Sequence, residues 1–132
     1  MQLIKSLTQE IIGCAIEVHN RLGPGLLESA YMLCLALEFE HRGLKYQKEL
    51  DVPLCYRENI IDRCFRIDFL VEEQVILELK AVDLLLPVHE AQMLTYLKLM
   101  NKPVGLLFNF NVSLLKNGIR RYVLNGMKER VS

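Results

Sequence analysis

The sequence predicts an α/β fold whose elements follow the order ααβββαβ, with one further strand possible at the end. Apolar residues recur at helical spacing up to about residue 43 and alternate at strand spacing from about residue 46. A third helical pattern, over residues 87–100, separates two apolar strands. The 132 residues are 52% hydrophobic, which suffices for a core, and no repeat or linker interrupts them. We therefore expect one domain over residues 1–132.

Two helices are predicted in the N-terminal third of the chain. The first is expected to begin at Ser6, whose spacing to Gln9 fits a capping box, and to end at Leu22. The Gly-Pro-Gly sequence that follows indicates a break, because glycine often ends helices and proline cannot continue them. The second helix is expected to run from Gly25 to about Gly43.

Three antiparallel strands are predicted next. The first runs from Tyr46 to Tyr56, and Pro53 within it favours a sheet edge because proline cannot donate a ladder hydrogen bond. The second runs from about Ile60 to Val71. The third, QVILELKAV, follows a polar turn at Glu72 to Gln74.

The last third of the chain adds a helix and a buried strand. The helix is expected from Pro87 to Met100, and the strand VGLLFNF begins at Val104. A turn signal at Asn117 and Gly118 leads to a final segment, which would supply the additional strand.

Two charged residues inside the third strand need an explanation. Glu78 and Lys80 are two positions apart and therefore share one face of the strand. A three-residue turn gives a register that places Asp68 directly opposite Glu78. The same register pairs Val71 with Val75, Phe69 with Leu77, and Ile67 with Leu79. It makes the other face of the hairpin wholly apolar, whereas a one-residue slip would bring Asp68 beside a leucine.

Two opposed carboxylates repel each other at Cβ separations of about 5 Å unless a positive group lies between them. A divalent cation is one solution, and oxygen ligands suit Mg²⁺ or Mn²⁺. Lys80 would then hold the attacking water or stabilise the charge that develops on phosphorus. The other interpretation is that Lys80 and Arg66 simply neutralise the two carboxylates at a sheet surface.

The charge balance limits how the chain can meet nucleic acid. The 16 Lys and Arg residues equal the 16 Asp and Glu residues, so no overall field attracts phosphates and any contact needs a local patch. One basic cluster, near the C-terminal end of the sequence, is either such a patch or a solvated surface. Its members are Arg120, Arg121, Lys128 and Arg130.

The four cysteines, Cys14, Cys34, Cys55 and Cys64, show no CxxC spacing. We expect them to be small core residues rather than metal ligands or disulfide partners. We expect no signal peptide, and charges interrupt every apolar run before the ~20 residues that a membrane span needs. The expected location is cytoplasmic, with no membrane partner.

The charged hairpin resembles a known motif. Asp68, followed after a short hairpin by Glu78-Leu79-Lys80, resembles the PD-(D/E)XK motif of the restriction-endonuclease-like superfamily. Ile67 stands where the motif name has proline, but the acidic side chain is the ligand. The resemblance implies a restriction-endonuclease-like three-layer core, in which a mixed sheet is flanked by helices.

Two flanking segments extend this resemblance over nearly the whole chain. The segment GLLESAY, residues 25–31, is similar to the GxxExxY signature of a small bacterial family assigned to the same superfamily. Gln92 and Tyr96 add a QxxxY pair on one face of the third helix. The motif order Glu28, Asp68, Glu78, Lys80, Gln92 and Tyr96 is similar to that of lambda-type and recombination exonucleases.

The resemblance implies a nuclease that uses Mg²⁺ or Mn²⁺ and binds nucleic acid, DNA in the first place. Asp68, Glu78 and Glu28 would bind the metal, and Lys80 would act beside them in catalysis. In the relatives, the glutamine and tyrosine of QxxxY support the lysine or contact the nucleic-acid backbone. A homo-oligomer or an accessory protein would help so small a chain to grip its substrate. The alternative is a non-catalytic module that binds protein or nucleic acid through the same fold.

Four further side chains are open to two interpretations each. Glu28 either reaches the carboxylate face or is a first-turn acid that the helix dipole favours. Tyr31 either orients the Glu28 carboxylate as a supporting residue or packs in the core. His19 and His89 are either bases or accessory ligands, or are packed or exposed without such a role.

Overall fold

The computed structural model describes residues 3–124 and 128–129. The helices are α1 (Ile4–Leu22), α2 (Glu28–His41) and α3 (Pro87–Met100), and a short 3₁₀ helix covers Leu115–Gly118. The strands are β1 (Tyr46–Tyr56), β2 (Asn59–Val71), β3 (Val75–Lys80), β4 (Val104–Asn109), β5 (Ile119–Val123) and β6 (Lys128–Glu129). The predicted order is confirmed, and the possible last strand is β5, with the short β6 beyond it.

All six strands form one sheet in the order β1-β2-β3-β4-β5-β6. Only β3 and β4 run parallel, and α3 makes the crossover between them that a parallel pair requires. The other neighbours are antiparallel. Strand β1 lies at the edge of the sheet, as Pro53 predicted, because its outer side needs no ladder partner.

Helices cover both faces of this sheet and give three layers. The α1–α2 pair packs on one face in a cluster that includes Phe39, Phe69 and Leu77. Helix α3 packs on the opposite face in a second cluster around Met93. The helix approaches β4 closely at Gly105, where an added Cβ would collide with the Met93 sulfur. This contact fixes the height of α3 above the sheet.

Both N-terminal helices begin at residues other than the predicted ones. Helix α1 starts at Ile4 after an N-cap at Leu3, which makes no side-chain capping bond, so the capping box predicted at Ser6 is wrong. Ile4 packs against the core, and this burial extends the helix beyond Ser6. Helix α2 starts at Glu28 rather than Gly25, because Gly25 has a φ of 97°.

The β2–β3 register is the predicted one over its paired part. Phe69 lies opposite Leu77, and Val71 lies opposite Val75. One detail is corrected: Ile67 packs in the α3 cluster, whereas Leu79 packs in the α1–α2 cluster, so they do not share an apolar face. The alternation changes on β2 at Asp68, which lies opposite Glu49 of β1, a residue with a φ of 54°.

The cysteine prediction holds for only part of the set. Cys14 is buried, and burial raises the pKa of its thiol to about 11. Cys55 and Cys64 are exposed, so their prediction as core residues is wrong. They lie on the part of β1 and β2 that extends past β3, where one pair of strands cannot cover both faces. All four thiols are free.

Among the described residues, no helix combines the length and the apolar character needed to cross a bilayer.

Candidate metal centre at a strand fork

The predicted carboxylate pair lies where β2 and β3 separate. Asp68 and Glu78 are the next residues after the last backbone pair, Phe69–Leu77. The Asp68 amide donates to Glu78 Oε1 at 2.9 Å, and the Leu79 amide donates to Asp68 Oδ2 at 2.7 Å. Each carboxylate therefore accepts a bond from the opposite strand's backbone. The two side chains replace the next ladder bonds and hold the fork in a defined geometry.

Both carboxylates are costly to ionise in this position. Glu78 is only 8% exposed, and burial together with the nearby Asp68 raises its pKa to about 8. Burial also raises the pKa of Asp68, and the charges of Glu28 and Glu49 act in the same direction. The amide bonds and Lys80 lower both pKa values without cancelling the rise. The site therefore holds excess negative charge when both groups ionise.

Of the two cations in the alternative interpretation, Arg66 is paired elsewhere, while Lys80 acts on the carboxylates through its charge. Arg66 instead contacts two β1 carboxylates, Glu49 at 3.5 Å and Asp51 at 3.4 Å. Lys80 is partly exposed and lowers the pKa of Asp68 and Glu78. Within the described part of the chain, its ammonium forms no ion pair. Lys80 is therefore left near the carboxylates with its charge available.

Glu28 is the first residue of α2 and is exposed to solvent. Its charge raises the pKa of both fork carboxylates, so it faces the same region. Across residues 3–124 and 128–129, however, no three His, Cys, Asp or Glu side chains lie close enough together to hold a metal ion. The structure thus brings Asp68 and Glu78 together, with Glu28 outside direct ligand distance of that pair.

Tyr31 is a core residue that holds the loop before Glu28. Its ring stacks on Phe110 with a centroid separation of 4.4 Å. Its hydroxyl donates to the Gly23 carbonyl at 2.6 Å and accepts from the Leu26 amide at 3.2 Å. The hydroxyl thus bonds to the loop rather than orienting the Glu28 carboxylate. Tyr31 supports Glu28 indirectly, by fixing the turn from which α2 starts.

The QxxxY pair is split between the core and the surface. Tyr96 is 8% exposed, and its ring contacts Phe65 edge-on at 5.9 Å. Burial, and then the charges of Glu78 and Asp68, raise the pKa of its hydroxyl, so Tyr96 faces the carboxylate pair. Gln92 lies one helical turn earlier and is exposed. The structure therefore connects the tyrosine with the fork, whereas it shows the glutamine only as an exposed residue of the same helix.

Asn109 is a further site-forming residue, and the sequence analysis missed it. Its side-chain Nδ2 donates to the Val82 carbonyl at 2.9 Å, and its Oδ1 accepts from the Val82 amide at 3.1 Å. The Phe110 amide also donates to the Lys80 carbonyl at 2.9 Å. This clasp holds the chain directly after Lys80 against the end of β4. The available signal was a lone amide residue between two phenylalanines in an otherwise apolar strand.

His19 and His89, the two candidate histidines, form hydrogen bonds with the backbone. His19 is buried, and its Nε2 lies 2.8 Å from the Val112 carbonyl, which ties the end of α1 to the loop after β4. His89 Nδ1 accepts the Leu86 amide at 2.9 Å, while the His89 amide donates to the Leu86 carbonyl at 2.9 Å. This reciprocal pair caps the start of α3. Neither ring is held at the fork by these bonds.

The C-terminal basic cluster is described only in part. Arg120 donates to the backbone carbonyls of Asn117 and Ile119. Arg121 donates to the Thr8 hydroxyl at 3.3 Å. Arg130, and the side chain of Lys128, lie outside the described residues. A role of this cluster in phosphate binding stays a prediction.

Comparison with known proteins gives one match. The family model of the PD-(D/E)XK nuclease superfamily matches residues 5–122, which include the fork, α3 and the loop before α2. No curated protein and no solved structure gives a significant match. The GxxExxY family suggested by residues 25–31 is not confirmed and stays a prediction. The mixed sheet between two helical layers agrees with a restriction-endonuclease-like core. By this match over most of its length, the chain belongs to the PD-(D/E)XK nuclease superfamily.

Proposed function

We propose that this chain is a divalent-metal-dependent nuclease that hydrolyses phosphodiester bonds of nucleic acid. The observation that supports the proposal most directly is the reciprocal bonding of Asp68 and Glu78 at the strand fork. It preorganises one buried and one partly buried carboxylate near Lys80, and within the described chain neither of them forms an ion pair. Membership of a nuclease superfamily supplies the reaction class.

The donor set of the fork fits a hard divalent cation. One oxygen of each carboxylate accepts a backbone amide, which leaves the second oxygen of each for a ligand. Mg²⁺ usually takes one or two carboxylates and completes its shell with waters and substrate phosphate, so two protein ligands are enough. When bound, such a cation would polarise a phosphoryl oxygen and lower the pKa of a coordinated water. Mn²⁺ fits the same oxygen ligands.

The remaining residues have roles in holding substrate and water. Lys80 would orient the attacking water or stabilise charge developing at phosphorus, because its ammonium lies by the carboxylates and is not paired. Glu28 would hold a metal-bound water or extend the site from the start of α2. Tyr96 would donate its hydroxyl toward the fork, and Gln92 would contact the nucleic-acid backbone at the rim. These roles, with DNA as the preferred substrate and a lambda-type exonuclease activity, are parts of the proposal.

A non-catalytic binding module is the second candidate. Two observations favour it: the zero net charge of the chain and the distance of Glu28 from the other two acids. A module of this kind would keep the fold and bind nucleic acid or a protein partner without hydrolysis.

The deciding experiment is a calorimetric titration of Mg²⁺ and Mn²⁺ into the wild type and Asp68→Asn. Asparagine keeps an oxygen for the Leu79 amide, so the fold is preserved while one ligand charge is lost. Metal-dependent cleavage is screened on single- and double-stranded DNA and RNA. In Asp68→Asn it should be about 100-fold or more slower than in the wild type, as when one preorganised electrostatic group is removed. Glu73→Gln, an exposed acid in the β2–β3 turn, is the matched control and should leave binding and cleavage unchanged.

The nuclease is supported if Asp68→Asn loses metal binding and Glu73→Gln retains it. Cleavage should likewise be lost in Asp68→Asn and retained in Glu73→Gln. Wild-type protein that binds neither cation and cleaves none of the four substrates contradicts it and favours the binding module.

A further inference from the structure

Strand β2 is paired very unequally on its two sides. β1 pairs with it from Tyr46–Val71 as far as Tyr56–Asn59, whereas β3 pairs with only Phe69–Val71. Residues 50–67 therefore form a two-stranded ribbon that extends past the β2–β3 ladder. We call this ribbon the arm. It begins at the residue next to Asp68, so its base adjoins the carboxylate pair.

The arm has a packed base, a tight turn at its tip and a bend between them. At its base, Val52, Phe65 and Ile67 pack in the cluster beneath α3. At its tip, Arg57 and Glu58 have φ values of 48° and 71°, which is the conformation of a tight two-residue hairpin turn whose twist matches the flanking strands. A shift in register between Val52 and Leu54 also bends the ribbon.

The tip carries large apolar side chains with nothing from the described chain covering them. Tyr56 is 61% exposed and Ile60 is 73% exposed. The Arg57 guanidinium lies 5.9 Å from the centre of the Tyr56 ring, a cation–aromatic arrangement. In the described residues, Arg57 forms no ion pair. An exposed aromatic ring beside an arginine offers apolar contacts to sugars and a positive charge to phosphates.

A recess lies between the arm and the last turn of α3. Its volume is about 390 Å³, and it is lined by Pro53, Cys55, Ile60, Lys98 and Leu99. The lining contains one cation and no acid, although the arm as a whole carries three acidic and three basic residues. Lys98 forms no ion pair within the part of the chain that the structure describes. The recess is therefore a local site for an anion beside an apolar surface.

Cys55 pairs with Ile60, and Tyr56 pairs with Asn59, so Ile60 lies on the recess face of the ribbon and Tyr56 on the other face. We propose that the arm binds a nucleic-acid duplex next to the fork, with Ile60 and Tyr56 toward the two walls of a groove and with Lys98 and Arg57 on the phosphates of those walls. A two-stranded ribbon fits the major groove of duplex DNA. The eight residue-to-residue steps from Ile60 to Asp68 span about 26 Å at ~3.3 Å per step. At ~3.4 Å per base pair, this reach corresponds to about eight base pairs beyond the scissile bond.

This inference rests on the proposed function and specifies its substrate as duplex. A second copy of the chain is the other occupant to consider. Two copies meeting tip to tip about a twofold axis would place Arg57 and Lys98 near their own equivalents, because such an interface uses the same patch twice. The like charges favour a polyanion over a second copy.

The test measures duplex affinity without cleavage, by fluorescence anisotropy of a labelled DNA of about 24 base pairs in EDTA and at about 50 mM salt. The tip variant Tyr56→Ser/Ile60→Ser should bind at least about tenfold more weakly, the scale of truncating two contact residues at an interface. The matched control is Leu33→Ser/Leu37→Ser on α2, which removes two side chains that are 58% and 63% exposed. Its affinity should stay within about twofold of the wild type.

A second variant tests the charges and guards against misfolding at the tip. Arg57→Gln/Lys98→Gln should lower the slope of log affinity against log salt by between one and two, since each lost phosphate contact removes about one unit. An unchanged slope together with unchanged affinity of the tip variant overturns the proposal. The proposal is also overturned if the wild type binds no duplex. It is overturned as well if light scattering shows a dimeric wild type and a monomeric tip variant while both bind duplex equally.

Failure of the arm and failure of the nuclease give different results. With Mn²⁺, hydrolysis of bis(p-nitrophenyl) phosphate, which is too short to reach the arm, should be the same in the tip variant and the wild type. Duplex cleavage by the tip variant should fall with its affinity. If Asp68→Asn cleaves like the wild type, the nuclease fails, while the anisotropy result still decides whether the arm binds duplex.

Discussion

The two halves of β2 differ in their neighbours: one half pairs with strands on both sides, and the other half pairs with a strand on one side only. Phe69–Val71 has partners on both sides and lies in a buried core. Asn59–Ile67 has only β1 beside it, and its far end is exposed to solvent. Asp68 lies at the boundary, where side chains replace the backbone ladder. Ending one ladder early thus creates both a polar site and an extended ribbon from a single strand.

The largest expected difference between the halves comes from two phenylalanines on β2. Phe69 is fully buried and contacts the rings of Phe39 and Tyr46 at 5.3 and 5.7 Å. Phe69→Ala should lower the free energy of unfolding by about 3–5 kcal/mol. Phe65→Ala, in the half-buried base of the arm, should cost about 1–2 kcal/mol. Urea unfolding of both variants measures the contrast, and equal losses would mean that the arm is as much a part of the core as the paired half.

At the boundary, a pH-dependent effect of intermediate size is expected. Burial raises the folded-state pKa of Glu78 to about 8 from an ordinary value of 4.5. The folded chain therefore keeps a proton that the unfolded chain releases, and stability declines as the pH rises through this interval. Glu78→Gln cannot ionise and keeps an oxygen for the Asp68 amide.

This variant should be more stable than the wild type by about 2 kcal/mol at pH above 8 and nearly equal to it near pH 5. Chemical unfolding in EDTA at several pH values is the measurement. If the free energy of unfolding changes with pH in the same way in both proteins, burial at the fork does not disfavour the ionised form of Glu78.

The smallest effect is expected on the arm side of the boundary. Arg66 is 59% exposed and pairs with Glu49 and Asp51 at 3.5 and 3.4 Å. Arg66→Gln should change stability by less than about 0.5 kcal/mol, because exposed ion pairs contribute little. Its stability profile with pH should follow that of the wild type. A profile altered in the interval where Glu78 titrates would instead show that Arg66 neutralises the carboxylate pair.

The sequence predicted the parts of the fold that depend on periodicity and on special backbone residues. Alternation over β2 and β3 fixed the register that puts Asp68 opposite Glu78, and Pro53 indicated the edge strand. The start of α1 was missed because Ser6 resembles a cap locally, while the burial of Ile4 is a tertiary contact. Local chemistry and long-range packing disagreed at that position, and packing prevailed.

The candidate site was predicted in its residue types more than in its geometry. Opposed carboxylates follow from register, but the amides that each of them accepts appear only once the ladder is seen to end. Tyr31 was placed beside Glu28 by helical spacing, whereas its hydroxyl meets the preceding loop. Asn109 was missed because its partner, Val82, is 27 residues away and has no polar side chain. Contacts between a side chain and a distant backbone leave no pattern in a sequence.

The Asn109 clasp also determines which connecting segment can change in length without moving the fork. It closes a loop of 27 residues that contains α3, and it does so at Val82, directly after the strand that carries Lys80. Extra residues between Asp83 and Leu86 would enlarge a loop that is already closed, and even doubling its length costs only about 0.6 kcal/mol of closure entropy. The position of Lys80 is thereby insulated from the length of the connection to α3. One amide side chain lets the chemistry of the fork stay constant while the adjoining loop is open to insertion.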